Sequence, residues 1–329
     1  MGSTGLTLGK FAPFHKGHEL LVRTALGETD HVIIVIYNSP EITQIPLNIR
    51  TNWIRTIFPE VEVIEAWDGP SESGNSPKVK KIQENYIQRI LNGRKITHFY
   101  SSEFYGDHMS NALNAVNRIV DKKRSIVPIS GSAIRKNPFK YRQFLSPVVY
   151  KDFIVNVVFL GAPSTGKSTM AEYCARKFNT VYMSEYGREY WNKNQINRRL
   201  TLNQLVEIAE GHLIRENQQI MEANTWLFSD TNAITTYMFS LYYHNKVHDR
   251  LTELAQFAEK RYDIVFLCDT DIPYDDTWDR SGEVNRSEFQ QKIIDDLNRR
   301  NLPFIMLSGN LETRMEQVKK TLMEFQKIY

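Results

Sequence analysis

Apolar and polar positions along the chain follow two alternating rhythms. Short runs of β-branched and aliphatic residues are bounded by turn formers. Between them lie longer stretches in which apolar residues recur every three or four positions. Gly5–Lys10 and His31–Tyr37 (HVIIVIY) read as strands. Between them come a turn holding Pro13, His15 and Gly17 and a helix over Glu19–Leu26. A helix over Leu47–Phe58 precedes a strand over Val61–Ala66, and Asp68–Val79, with Gly, Pro, Ser and Asn, reads as a loop. The first half closes with a helix over Tyr86–Leu91, a strand over Thr97–Ser101, a helix over Asn111–Val120 and a strand over Ser125–Ile129. The rhythm restarts at Phe153–Leu160 (FIVNVVFL). Further strands are expected at Thr180–Ser184, Thr225–Ser229, Asp263–Asp269 and Pro303–Leu307, separated by helical stretches that include Thr201–Ala223 and Ser287–Arg299. Strands alternating with helices predict an α/β protein with parallel sheets.

The restart suggests two domains, which suits 329 residues at roughly 150 per domain. Asn137-Pro138 and Ser146-Pro147 interrupt helical continuation, so the expected division is 1–145 and 146–329. No sequence repeat or low-complexity segment relates the halves. Lys and Arg number 41 against 38 Asp and Glu, a formal charge of +3. That is too mild for a nucleic-acid binder, in which a clustered basic face is expected. No apolar run reaches the length of a membrane span, and no signal peptide pattern opens the chain. Cys174 and Cys268 lie far apart inside apolar patterns and read as core residues, which fits a cytoplasmic location.

Chemistry concentrates first in the second half. Gly161-Ala162-Pro163-Ser164-Thr165-Gly166-Lys167-Ser168, followed by Thr169, is a full phosphate-loop motif between an apolar strand and a helix. Its glycines let backbone N–H groups face a phosphate, and the helix N-terminus adds partial positive charge there. Lys167 would reach the β- and γ-phosphates of ATP, and Ser168 would hold Mg²⁺. Three features favour a small-molecule kinase over a switch or motor. Glu185, Tyr186 and Arg188 follow a strand and offer an acid for a hydroxyl proton beside groups for a polar, ring-bearing substrate; a charged helix start would read the same. Asp230 ends an apolar strand where a second Mg²⁺-holding carboxylate belongs, or it is a helix N-cap. Arg280 and Arg286 lie in a Gly-containing stretch that could close over phosphates as a lid, or form an ordinary solvated loop.

The first half carries Gly9-Lys10-Phe11-Ala12-Pro13-Phe14-His15-Lys16-Gly17-His18 between a strand and a helix. His15 and His18, three apart with Gly17 between, can face one phosphate near a helix N-terminus and stabilise charge developing at an α-phosphate. A metal site is the rival reading, although no convincing carboxylate or cysteine partner completes it. Ile129-Ser130-Gly131-Ser132-Ala133-Ile134-Arg135 offers hydroxyls and amides at a helix start with an Arg one turn on, a second phosphate grip.

With these motifs together, the first half resembles the nucleotidyltransferase superfamily. His15-Lys16-Gly17-His18 matches its (H/T)xGH marker, and Ile129, Ser130 and Arg135 match the companion ISxxxxR pattern. Both halves in this order resemble the NadR family. Ser101-Ser102-Glu103-Phe104-Tyr105-Gly106 matches its SSExYG segment, Arg50 and Trp53 its RxxW helix, and Glu185, Tyr186 and Arg188 its EYxREY stretch. The resemblance implies two activities, a C-terminal kinase converting nicotinamide riboside and ATP to nicotinamide mononucleotide (NMN), and an N-terminal adenylyltransferase converting NMN and ATP to NAD and pyrophosphate. It implies ATP and Mg²⁺ as the cofactors and neither nucleic acid nor membrane as a partner; a homo-oligomer stays open. Glu185 or Asp230 would take or orient the hydroxyl proton. Trp53 is a candidate for stacking on the cationic nicotinamide ring, or a core Trp. Glu103 and Tyr105 are candidates for recognising substrate or adenine. Enterobacterial members carry an N-terminal helix-turn-helix, for which the position of Gly9 leaves no room here. Two rival functions keep the motifs, the same chemistries on another acceptor and nucleoside, and an ATP-dependent nucleotide sensor without turnover.

Overall fold

The computed structural model describes residues 2–70, 74–103, 105–195, 199–274 and 283–327, without the side chains of 283 and 284. The chain divides into two compact units, residues 1–152 and 153–328. In the first, β1 (Thr4–Gly9) leads into α1 (Lys16–Glu28), β2 (His31–Tyr37), α2 (Leu47–Ile57), β3 (Glu62–Ala66), α3 (Pro77–Leu91), β4 (His98–Ser101), α4 (Gly106–Leu113) and β5 (Val116–Ile119). Two short helices follow, α5 (Gly131–Lys136) and α6 (Pro147–Tyr150). The five strands form one parallel sheet in the order β3-β2-β1-β4-β5. Five consecutive residues of β2 are buried, because helices cover both faces of a parallel sheet and apolar residues are needed on each. Leu6, Leu8, Ile33 and Val35 pack on Tyr86, Ile87, Leu91 and Met109 on one side. The chain order reverses beside β1, so the carboxyl ends of β1 and β4 flank the crevice where such sheets bind ligands.

In the second unit, β6 (Val155–Leu160), α7 (Lys167–Lys177), β7 (Tyr182–Met183), α8 (Tyr186–Asn194), α9 (Leu202–Ile220) and β8 (Trp226–Asp230) come first. They are followed by α10 (Ala233–His244), α11 (Asp249–Glu259), β9 (Ile264–Cys268), α12 (Glu283–Arg299), β10 (Ile305–Leu307) and α13 (Leu311–Glu324). The parallel order is β10-β9-β6-β8-β7, with β6 at the centre. Val155, Val157 and Phe159 of β6 belong to a core with α7 and α13, whereas Val158 and Leu160 face α10, α11 and α12. The ring of Phe159 stacks on Phe228 of β8 and Phe266 of β9, tying three neighbouring strands. Both cysteines are buried and unpaired, as expected.

The expected parallel α/β units are present, with local differences. Helix α4 stops at Asn114, whose left-handed backbone (φ 49°) ends it, and the chain turns directly into β5. The fifth strand is therefore Val116–Ile119, and 125–129 forms no strand. As an edge strand with its side chains mostly exposed, β5 lacks the apolar run by which its neighbours announce themselves. Helix α3 begins nine residues earlier than its apolar spacing implied, since Ser76 caps it through Val79 N–H and Pro77 fits its first turn.

Candidate functional site

The first site forms where β1 passes into α1. His15 is the N-cap, and its Nδ1 accepts from Gly17 N–H at 3.1 Å, while Nδ1 of His18 accepts from His15 N–H at 3.3 Å. Two imidazoles thus perform the reciprocal capping that a Ser and a Glu commonly share. The rings stack with centroids 3.8 Å apart, and Phe11 and Phe14 enclose His18. A Cβ on Gly17 would lie 3.0 Å from the His15 ring, so the glycine lets that ring lie across the helix start. Burial holds the pKa of His15 down at about 4, reinforced by the Arg124 cation. His18 is also held well below its ordinary value, by burial first and then by His15 and Arg124. Both rings are therefore neutral near pH 7. Because each Nδ1 accepts, each proton resides on Nε2.

The second motif of this unit meets the first. Ser130 caps α5 by accepting from Ala133 N–H at 3.2 Å, and Arg135 donates to the Ala12 carbonyl in the histidine loop. A Cβ on Gly131 would crowd that carbonyl at 3.2 Å. Ile129 is buried and Ser132 lies 3.4 Å from Arg135. Lys10 is paired with Glu41 at 2.6 Å, and Phe11 takes positive φ between Gly9 and the turn. Arg124 was missed in the sequence. It stands close enough to lower both histidines, on a loop whose Asp121 carboxylate accepts the N–H groups of Ser125, Ile126 and Val127. The Lys122-Lys123-Arg124 run was the signal. Among the described residues no group of three His, Cys, Asp or Glu could hold a metal, so the two histidines lack a third ligand.

Two expected substrate contacts, Trp53 and Arg50, belong to the scaffold instead. Trp53 has no exposed surface, and its Nε1–H donates to Asp152 at 2.6 Å, so no ligand ring can stack on it. Arg50 is buried and donates to the carbonyls of Lys10, Tyr37 and Ile45, fixing the loop after β1. Tyr105 donates to the Leu8 carbonyl at 3.1 Å and packs on Phe99. Glu103 remains at the surface, 4.0 Å from Arg124.

The second site forms where β6 meets α7. Gly161 (φ 140°) and Gly166 (φ 83°) adopt backbone conformations that favour glycine. Lys167 donates to the Ala162 carbonyl at 2.8 Å, as does Thr165 at 2.9 Å. Two buried side chains brace the loop from behind. Gln290 accepts from Ala162 N–H at 2.8 Å and donates to the Cys268 carbonyl at 3.0 Å. Arg314 donates to the carbonyls of Thr165, Asp269 and Gly309 and pairs with Asp271. Arg286 donates to the carbonyls of Ser164, Thr270 and Ile272 and lies over Tyr274, so it braces the loop rather than waiting as a lid arginine. Arg280 lies outside the described residues.

A cavity of about 680 Å³ opens beside this loop, lined by 163–169, Glu185, Arg188, Trp191, His212 and Asn232 among others. Asp230 at the end of β8 is buried and hydrogen-bonded with Ser168, while its Oδ1 has no hydrogen-bond partner among the described residues. Burial and the nearby Glu185 raise its pKa to about 6, against Lys167 and Ser168, which lower it. Glu185 pairs with Arg188 at 3.2 Å in the cavity wall. Tyr186 is turned away, packed on Gly211 with Arg215 at 4.0 Å over its ring, and does not line the cavity. Trp191 and His212, both in the wall, were missed because their helical spacing reads as ordinary core.

Comparison with known proteins agrees with this division. Residues 6–137 match the cytidylyltransferase-like family and residues 156–314 an AAA domain. The trifunctional NAD biosynthesis/regulator protein NadR of Escherichia coli (strain K12) is 28% identical over 321 residues, covering 92% of this chain and 78% of that protein. Its counterpart in Salmonella typhimurium (strain LT2) is 28% identical over 325 residues, with the same coverage. Crystal structures of NadR in complex with NAD and AMP-PNP, and with NR, superpose over 100% of this chain and 98% of theirs. Their TM-scores are 0.58 and 0.59 at 21% and 20% identity, which shows a shared fold. No described helix is long and apolar enough to cross a membrane.

Proposed function

We propose that this chain, a NadR homologue over 92% of its length, makes NAD in two ATP-consuming steps. The second unit phosphorylates nicotinamide riboside to NMN, and the first adenylylates NMN to NAD with release of pyrophosphate. The observation that supports this reading is two different clusters of side chains suited to phosphate, one in each unit. One is a glycine loop with a lysine and a Ser–Asp pair. The other is a pair of neutral, stacked histidines with two arginines nearby.

In the kinase unit the 5′-hydroxyl of the riboside attacks the ATP γ-phosphate. Loop amides and the Lys167 ammonium face the charge that develops. Ser168 and Asp230 would hold Mg²⁺, and the fit rests on the unpartnered, buried Asp230 Oδ1 beside the Ser168 hydroxyl. Bound there, the ion would neutralise phosphate charge. With Asp230 engaged at Ser168, Glu185 in the cavity wall is the group that orients the attacking hydroxyl and receives its proton. In the adenylyltransferase unit an NMN phosphate oxygen attacks the ATP α-phosphate. The Nε2–H groups of His15 and His18 stabilise the added charge, with Arg124 and Arg135 at the phosphates. No covalent enzyme intermediate is needed in either step.

Purified chain incubated with ATP, Mg²⁺ and nicotinamide riboside should release NMN first and NAD after it, read by chromatography. His18→Ala should stop the sequence at NMN, lowering adenylyl transfer roughly 100- to 1,000-fold by analogy with the loss of one oxyanion donor. Lys167→Ala should block NMN formation yet convert supplied NMN to NAD. A folded variant that lost both activities would sink the two-site reading. Binding of ATP with no product from any acceptor would favour a sensor.

A further inference from the structure

Helix α9 sends Leu205, Ile208 and His212 into the wall of the kinase cavity, at successive turns of one face. One turn further on is Glu216, with no exposed surface. Its carboxylate accepts from the hydroxyls of Ser229 and Tyr262 and from the Arg261 guanidinium. Ser229 is the β8 neighbour of Asp230.

His212 is 6% exposed, and its Nε2 lies 4.0 Å from Glu216 Oε1, with no hydrogen-bond partner among the described residues. Leaving a buried polar atom unpaired costs about 1–3 kcal/mol. A shift of roughly 1 Å would let Nε2–H donate to Glu216. Glu216 can only accept, so it requires the proton of a neutral imidazole to be on Nε2. The ring nitrogen Nδ1 is then an acceptor, on a side chain that lines the cavity.

We propose that His212 is a specificity residue of the kinase site, its Nδ1 accepting a hydrogen bond from a neutral donor on the nucleoside, with Glu216 as the positioning residue that fixes the tautomer. This rests on the reading of the second unit as a nucleoside kinase. Two donors on nicotinamide riboside have the required chemistry, the carboxamide N–H and a ribose hydroxyl. Burial keeps the imidazole neutral by lowering its pKa, which preserves the acceptor.

The test is steady-state kinetics of the full chain with nicotinamide riboside, nicotinic acid riboside and the 2′- and 3′-deoxy analogues. His212→Leu should raise KM for nicotinamide riboside about tenfold, the loss of one hydrogen bond, with a much smaller change in kcat. His212→Asn, whose amide oxygen can replace Nδ1, should recover part of that loss. Glu216→Gln should raise KM in the same sense. If the carboxamide is the donor, the wild type rejects the carboxylate analogue and His212→Leu narrows that preference. If a hydroxyl is the donor, one deoxy analogue loses affinity for the wild type but not for His212→Leu. An unchanged KM in a folded His212→Leu, or equal effects of Leu and Asn on every substrate, overturns the proposal. A wild type that phosphorylates no nucleoside overturns the kinase reading and this inference with it.

Discussion

Asp230 is held as a carboxylate against its surroundings. Its pKa of about 6 lies above the ordinary 3.8, so the folded chain binds this proton more tightly than the unfolded chain. The resulting stabilisation is complete below pH 3.8 and is lost as pH rises through 6. At neutral pH the ionised group therefore destabilises the second unit, by roughly 3 kcal/mol for a shift of that size. Asp230→Asn should melt higher than wild type at pH 7.5 in a metal chelator, with the gap closing toward pH 4, while kinase turnover is lost. Equal melting temperatures at both pH values, followed by calorimetry, would refute the burial argument. His15 works in the opposite direction: its depressed pKa makes the first unit lose stability as pH falls from 6.5 to about 4. At this scale the sequence marked Lys167, Ser168, His15 and His18 as candidates for phosphate contact, since they lie in spacings that only one local geometry serves. It did not show which way a side chain faces. Trp53 and Arg50 share one helix face with the core, and their commitment to Asp152 and to three carbonyls is a tertiary fact.

Elements place these residues through their ends. Each phosphate motif lies between a strand's carboxyl end and a helix's first turn, where backbone N–H groups are unpaired. Glycine has opposite consequences at two element ends. A Cβ on Gly161 would lie 2.8 Å from both the Cys268 carbonyl and Thr165 Oγ1, at φ 140°. Gly161→Ala should therefore cost about 1–3 kcal/mol in stability and abolish phosphorylation. Gly27, in the last turn of α1, meets nothing within 4 Å. Gly27→Ala should stabilise the first unit by roughly 0.5–1 kcal/mol and leave both products unchanged. Denaturant titration of the two variants measures both, and a destabilised Gly27→Ala would mean that the helix end is differently arranged. Buried strands such as β2 and β6 were legible because an apolar run, unbroken in β2 and interrupted only by Asn156 in β6, has few alternatives. Strand β5 was not, because an exposed edge carries no such run and only Asn114 marks its start.

Over the whole molecule, the contacts named for the histidine site lie within residues 1–152, and those named for the phosphate loop within residues 153–328. Residues 1–152 alone should adenylylate NMN, and residues 153–329 alone should phosphorylate the riboside, each near the rate of the intact chain. A fragment that folds, by circular dichroism, yet has lost its activity would show that its site borrows from the other unit. The two-unit plan was visible in the restarted strand rhythm. The division at 152 was harder to see, because Ser146-Pro147 reads as a break and is in fact a helix start. Lys16 and Glu19 of α1 hold Ser146, and Trp53 holds Asp152, so this segment belongs to the first unit.

Gln290 holds its place by being an uncharged amide. Its amide fits between a donor and an acceptor, the Ala162 N–H and the Cys268 carbonyl. Glutamate has the same shape, and the genetic code reaches it from glutamine by one base change. The exchange would turn an anionic oxygen toward the Cys268 carbonyl, and the loop would lose its brace with no change in volume. A lineage carrying that change would keep a normally sized core and a working histidine site. It would lose the riboside as a starting material and depend on NMN made elsewhere.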